Sequence, residues 1–223
     1  ERHPALVRRI VAAGHELASH GYGHELINLL GAARFRADVT RARTVLEDAA
    51  GVAVAGYRAP TFSLGARTPW AHAVLAESGY RYSSSVYPVR HDLYGSPDAP
   101  RAPHPVAGGA LWELPMTTLH ALGRNWPLAG GGWFRLLPYP AFRTALRRAL
   151  AAERHPAIFY THPWEFDPGQ PRVPGAPPRA RFRHYTGLAG TEARLRHLLR
   201  DFAWDRLDHA FAGLLGASAE SAA

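Results

Sequence analysis

The chain has 223 residues, 47% of them hydrophobic, which is enough for one large domain or a domain with a small appendage. It contains no cysteine, so disulfides, thiolate metal ligands and a cysteine nucleophile are all excluded, leaving His, Asp and Glu as metal ligands. All 26 basic residues are arginine, and against 18 acidic residues they give a formal charge of +8. The arginines are scattered and accompany no zinc-finger or RNA-recognition signature, so nucleic acid is not the expected partner. Electrostatic attraction to an acidic polymer stays open. No apolar run reaches the length of a membrane span, and the chain reads as soluble.

In chain order, residues 4–13 carry Leu6, Val7, Ile10 and Val11 at helical spacing and stop at Gly14. The short run 15–19 reads as extended. Residues 33–50 form a second helix through Phe35, Val39 and Leu46, ended by Gly51, and lead into a strand over 52–57. A third helix over 68–78 precedes an extended run over 80–87, with further strands at 111–118 and 157–161 and a helix over 138–153 between them. Helices alternating with short strands predict a parallel sheet with helical crossovers, curled into a barrel. Two stretches rich in proline and glycine, 88–108 and 163–184, read as binding loops. A last helix spans 191–202, and the Ala/Ser tail from Gly216 is expected to fray.

The stretch GHELASHGYGHE places His20 and His24 four positions apart behind an extended run. On a helical turn that spacing sets two side chains about 5–6 Å apart, close enough to converge on one metal ion. In a barrel, catalytic groups gather at the C-terminal ends of strands. Three polar segments follow predicted strands: His20 with His24, Arg58-Ala59-Pro60-Thr61, and His162-Pro163-Trp164-Glu165. Zinc-protease and serine-hydrolase readings fail. H-E-x-x-H is broken at Asn28 after His24 and at Ser19 after His15, and no G-x-S-x-G pentapeptide occurs.

The segments ASHGYGH, GYRAPTFS and FYTHPWEFDPGQPRVPG, continued by FRHYTGLAGTEARLRHLLRDF, resemble the polysaccharide deacetylases with a NodB-like homology domain. The nearest likeness is to the exopolysaccharide-associated branch with a C-terminal extension. The resemblance implies an α/β fold, a distorted (β/α) barrel of the carbohydrate deacetylase type. It also implies hydrolysis of N-acetyl groups on a polysaccharide or oligosaccharide with a divalent metal, zinc above all. His20 and His24 would be metal ligands, His162 the general acid on the departing amine, and Arg58 a catalytic residue orienting the base. Tyr57, Pro60 and Trp164 would contact substrate, although core packing explains Tyr57 and Trp164 as well. The implied division is a partial barrel over 1–162, an extension over 163–210 and a tail over 211–223.

Two departures stand out. The family's aspartate pair, the source of the third ligand and the base, should precede residue 1, so the chain is expected to be a fragment lacking the first strand and its activity. Ser83 stands where relatives commonly carry an aspartate that pairs with the acid histidine. The competing reading is a non-catalytic barrel that binds glycan or scaffolds export. The expected partner is an acetylated polysaccharide, on the cytoplasmic or periplasmic side of a bacterial exopolysaccharide pathway.

Overall fold

The computed structural model describes residues 1–92 and 94–220, which divide into two compact units, 1–116 with 205–220 and 117–204. The division does not follow the 162/163 boundary read from the sequence. At residue 117 the chain enters a new core of its own, built on Leu128, Phe134, Phe142, Leu146, Ala149 and Leu198.

The first unit contains helices α1 (Pro4–Ala12), α2 (Ile27–Leu30), α3 (Ala32–Ala50) and α4 (Ala71–Glu77), and returns at the end of the chain with α9 (Leu207–Ala210) and α10 (Ala212–Glu220). The tail expected to fray from Gly216 is thus helical to Glu220, and the last three residues lie outside the described ones. Its sheet has the order β1-β2-β4-β3, with β1 Gly56–Tyr57, β2 Tyr82–Ser83, β3 His104–Val106 and β4 Leu111–Glu113. β1, β2 and β4 run parallel, as the alternating pattern predicted, and β3 is antiparallel to β4. Ser19 adds a parallel bridge on the free side of β1. Helices α3 and α4 bury Phe35, Val39, Val74 and Leu75 against Val54, Tyr57, Tyr80 and Leu111.

The second unit holds the hairpin β5 (Thr118–Ala121) and β6 (Arg124–Pro127), then α5 (Gly131–Leu136), α6 (Tyr139–Glu153), α7 (Pro178–Tyr185) and α8 (Thr191–Asp201). The single strand expected over 111–118 is two strands, because Pro115 offers no N–H to continue the ladder. The strand expected over 157–161 survives as one parallel bridge, Tyr160 to Gly130. The architecture is α/β, and among the described residues neither unit's strands close into a barrel.

Candidate functional site

In the first unit, the backbone of Ser19 donates to Gly56 O at 2.8 Å and its carbonyl accepts from Arg58 N at 2.9 Å. That pairing aligns the C-terminal ends of two neighbouring extended segments, so that His20 and Arg58 are the next residues out on each. His20 Nδ1 donates to the Arg58 carbonyl at 2.7 Å. A carbonyl can only accept, so the proton sits on Nδ1 and the ring lone pair on Nε2, the form in which imidazole ligates a metal. The His24 ring lies 4.9 Å from it, centroid to centroid, at 72°.

The two rings meet as the spacing suggested, but not on a helical turn. Residues 20–26 form a loop whose sharp bend uses positive φ at Gly21 (77°) and His24 (52°). Asp38 of α3 holds the loop: its carboxylate accepts Tyr22 N–H at 3.0 Å and Gly23 N–H at 2.7 Å. A side chain at Gly21 would set its Cβ 2.8 Å from that carboxylate. Among the described residues no group of three His, Asp or Glu side chains is placed to hold a metal ion. The imidazole pair offers two nitrogen donors of the kind that a divalent ion accepts.

The Arg58 guanidinium bonds the Ser84 carbonyl at 2.9 Å and the Ser84 hydroxyl at 2.8 Å, tying the end of β1 to the end of β2. Ser83 is fully buried and its hydroxyl shares a hydrogen bond with Ser85 Oγ at 2.8 Å. It also bonds the Glu113 carboxylate, which accepts Ser85 N–H and Val86 N–H at 2.8 Å each and His72 Nε2 at 3.0 Å. Complete burial pushes the Glu113 carboxyl up, yet the hydrogen bonds from His72, Ser83 and the backbone outweigh it and hold the group below the ordinary carboxylate range.

In the second unit, His162 is exposed at the mouth of a tight turn, Pro163–Phe166. Its backbone N–H and its Nδ1–H both donate to Glu165 Oε1 at 3.0 Å. The other Glu165 oxygen accepts Arg135 Nε at 2.9 Å, and both of these side chains are buried. Burial raises the Glu165 carboxyl, but its bonds to His162 and the Arg135 charge bring it below the ordinary range. An ionised Glu165 keeps the His162 proton on Nδ1 and leaves Nε2 as the exchanging atom. Trp164 is half-buried between two rings, stacked on His184 at 4.1 Å and on His162 at 5.5 Å. Burial, then the Arg135 charge, lowers the His184 pKa and keeps that ring neutral.

Of the expected substrate contacts, Tyr57 and Pro60 lie in the core of the first unit, Tyr57 with its ring against Phe35 and Tyr80. A cavity of about 640 Å³ in the same unit is lined by Phe62, His72, His91, Asp92 and Tyr94, with His91 stacked on Tyr94 at 4.0 Å. Asp38 was given no role from the sequence, and Glu165 was named only as the end of the His162-Pro163-Trp164-Glu165 segment. Asp38 sits mid-helix with no motif around it, whereas Glu165 stands three residues from His162, the one signal that could have found it.

The arrangement is that of an α/β protein with paired histidines at a strand end and a carboxylate-oriented histidine. A family model described as polysaccharide deacetylase matches residues 1–83, and one described as a domain of unknown function, DUF3473, matches residues 84–212. The chain belongs to the polysaccharide deacetylase family, in the branch that carries this C-terminal extension, and its enzyme class is carbohydrate deacetylase. A Mycobacterium smegmatis protein assigned as a polysaccharide deacetylase is 25% identical over 98% of this chain and 68% of its own, with a TM-score of 0.57. A family 4 carbohydrate esterase from Streptomyces lividans, solved with acetate, is 27% identical over 39% of this chain and 44% of its own, with a TM-score of 0.34. No curated protein shows significant similarity to the chain.

Proposed function

We propose that this protein takes part in metal-dependent removal of N-acetyl groups from a polysaccharide in exopolysaccharide formation. The observation that carries the reading is the His20/His24 pair, brought to 4.9 Å with the His20 tautomer set by the Arg58 carbonyl. A divalent ion, zinc in our reading, supplies Lewis acidity toward the acetyl carbonyl when bound. His20 offers Nε2 as ligand, and His24 completes the chain's contribution. His162, held by Glu165 through Nδ1, carries on Nε2 the proton that a departing amine needs. Arg58 fixes the strand ends that present His20 and Ser84. Trp164 and the aromatic walls at Phe62 and Tyr94 offer apolar faces of the kind that pack against sugar rings.

Zinc stoichiometry of the purified chain, measured by mass spectrometry, tests the metal assignment. About one zinc per chain is expected, with loss of binding in His20→Ala/His24→Ala. Equal zinc in both proteins would remove these two ligands from the reading. Acetate release from an N-acetylated glycan is then the test of the reaction. A second reading, glycan binding without turnover, is favoured by the lack of a three-ligand group among the described residues. Retention of acetylated glycan with no acetate released in the presence of zinc would select it.

A further inference from the structure

The formal charge of the chain is not shared between its two units. Residues 117–204 hold 13 arginines against 5 acidic residues, a net +8, while the remainder holds 13 of each and nets zero. Genome composition can explain arginine in place of lysine, but not this segregation. Within the second unit the segment 168–191 is free of acid and contains Arg172, Arg179, Arg181 and Arg183. Arg172, Arg179 and Arg181 are exposed, Phe182 keeps 56% of its surface open and Val173 61%.

This segment is fastened to the turn that carries His162. Gln170 Nε2 donates to the Trp164 carbonyl at 2.8 Å, and Gln170 Oε1 bonds His184 Nε2 at 2.7 Å. Arg135, already paired with Glu165, donates to the carbonyls of Arg183, His184 and Thr186 at 2.7–3.0 Å. The basic surface therefore borders the candidate acid and is held rigidly to it.

We infer that α7 and the loop before it form a docking surface for an anionic glycan, a polysaccharide whose sugars carry carboxylates. The inference rests on the deacetylase reading and names its substrate class: the acetylated sugar would be flanked by acidic neighbours. Guanidinium forks match carboxylates in shape and bind them through two parallel hydrogen bonds. A flat anionic bilayer fits less well. Arg179, Arg181 and Arg183 are spaced by two along a helix, so successive side chains point about 200° apart, and α7 has no continuous apolar face to insert. A flexible polymer can follow such a spread of charge.

The test is fluorescence anisotropy of the full chain with a labelled oligogalacturonate, a neutral dextran oligosaccharide of equal length as the second ligand, and phosphatidylglycerol vesicles as competitor. Oligogalacturonate binding should weaken as salt rises, and should weaken about tenfold in Arg179→Gln/Arg181→Gln/Arg183→Gln, as expected when three positive charges are removed from the surface. The charge-matched control Arg2→Gln/Arg9→Gln/Arg90→Gln, on the other unit, should change it less than about twofold. Because Arg183 is half-buried, the pair Arg179→Gln/Arg181→Gln serves as a second variant confined to exposed positions, with loss of intermediate size expected. Equal losses in the α7 variant and the control, equal binding of dextran, or vesicles outcompeting the glycan through α7 would each overturn the inference. The probe carries no acetyl group, so failure of acetate release counts against the proposed reaction alone, and failure of this binding against the docking surface alone.

Discussion

Asp38 reaches the histidine pair through the backbone, by holding the Tyr22 and Gly23 amides that shape the loop between them. Asp38→Ala is expected to lower zinc affinity about tenfold, the usual cost of losing a partner that orients ligands. Competitive zinc titration measures it, and an unchanged affinity would remove the positioning role. Glu165→Ala strips the partner from a buried Arg135, and breaking such a pair costs about 3 kcal/mol; the urea midpoint reads this directly. Ser83→Asp is the instructive case. The sequence suggested that an aspartate here would serve the acid histidine, but the Ser83 hydroxyl bonds the fully buried Glu113 carboxylate. A second carboxylate there is expected to destabilise the protein by about 2–4 kcal/mol near neutral pH. The deficit should shrink toward pH 5, where one of the two acids can protonate, and urea titrations at pH 5 and 8 compare the two. A deficit independent of pH would sink the like-charge explanation. At this scale the histidines were legible because their type and spacing carry chemistry, while Asp38 and Glu113 were not, because a carboxylate that bonds backbone amides has no sequence signature.

Among the elements, the long helices α3, α6 and α8 were readable because each sustains a 3.6-residue apolar period, and glycine in the left-handed region ends α3. The strands were readable only as places. The extended run 52–57 forms a ladder at Gly56 and Tyr57 alone, since Val54 gives its N–H to the Glu47 side chain. The β5–β6 hairpin went unread because its turn places Leu122, at φ 55°, beside Gly123, at φ 70°, where Asn or Asp before glycine would have been the signal. Gly130 has a sharper requirement. Its φ is 120°, and an added Cβ would lie 2.2 Å from the Tyr160 carbonyl, across the bridge that sets the strand leading to His162. Gly130→Ala should cost more than about 2 kcal/mol and disturb the His162 turn. Retention of wild-type stability together with an unshifted His162 imidazole NMR signal would show the close approach to be dispensable.

For the molecule as a whole, acid sensitivity is built into both units through Glu113 in one and Glu165 in the other. Both carboxyls titrate below their ordinary value of 4.5 in the folded chain. Each therefore contributes stability that is fully present above about pH 4.5 and is lost as pH falls through the lowered folded value. Salt, by contrast, should distinguish the units, because only residues 117–204 carry net charge. Going from about 10 mM to about 1 M sodium chloride shortens the Debye length from about 30 Å to about 3 Å. That screening relieves the self-repulsion of a unit at +8 and gives little to one whose charges balance. Amide hydrogen exchange followed by mass spectrometry resolves the two in one sample. Protection should rise with salt across 117–204, most clearly in α6 and α8, and stay nearly constant across 1–116. A uniform rise would mean that salt acts through apolar burial common to both units, and the charge segregation would then have no bearing on stability.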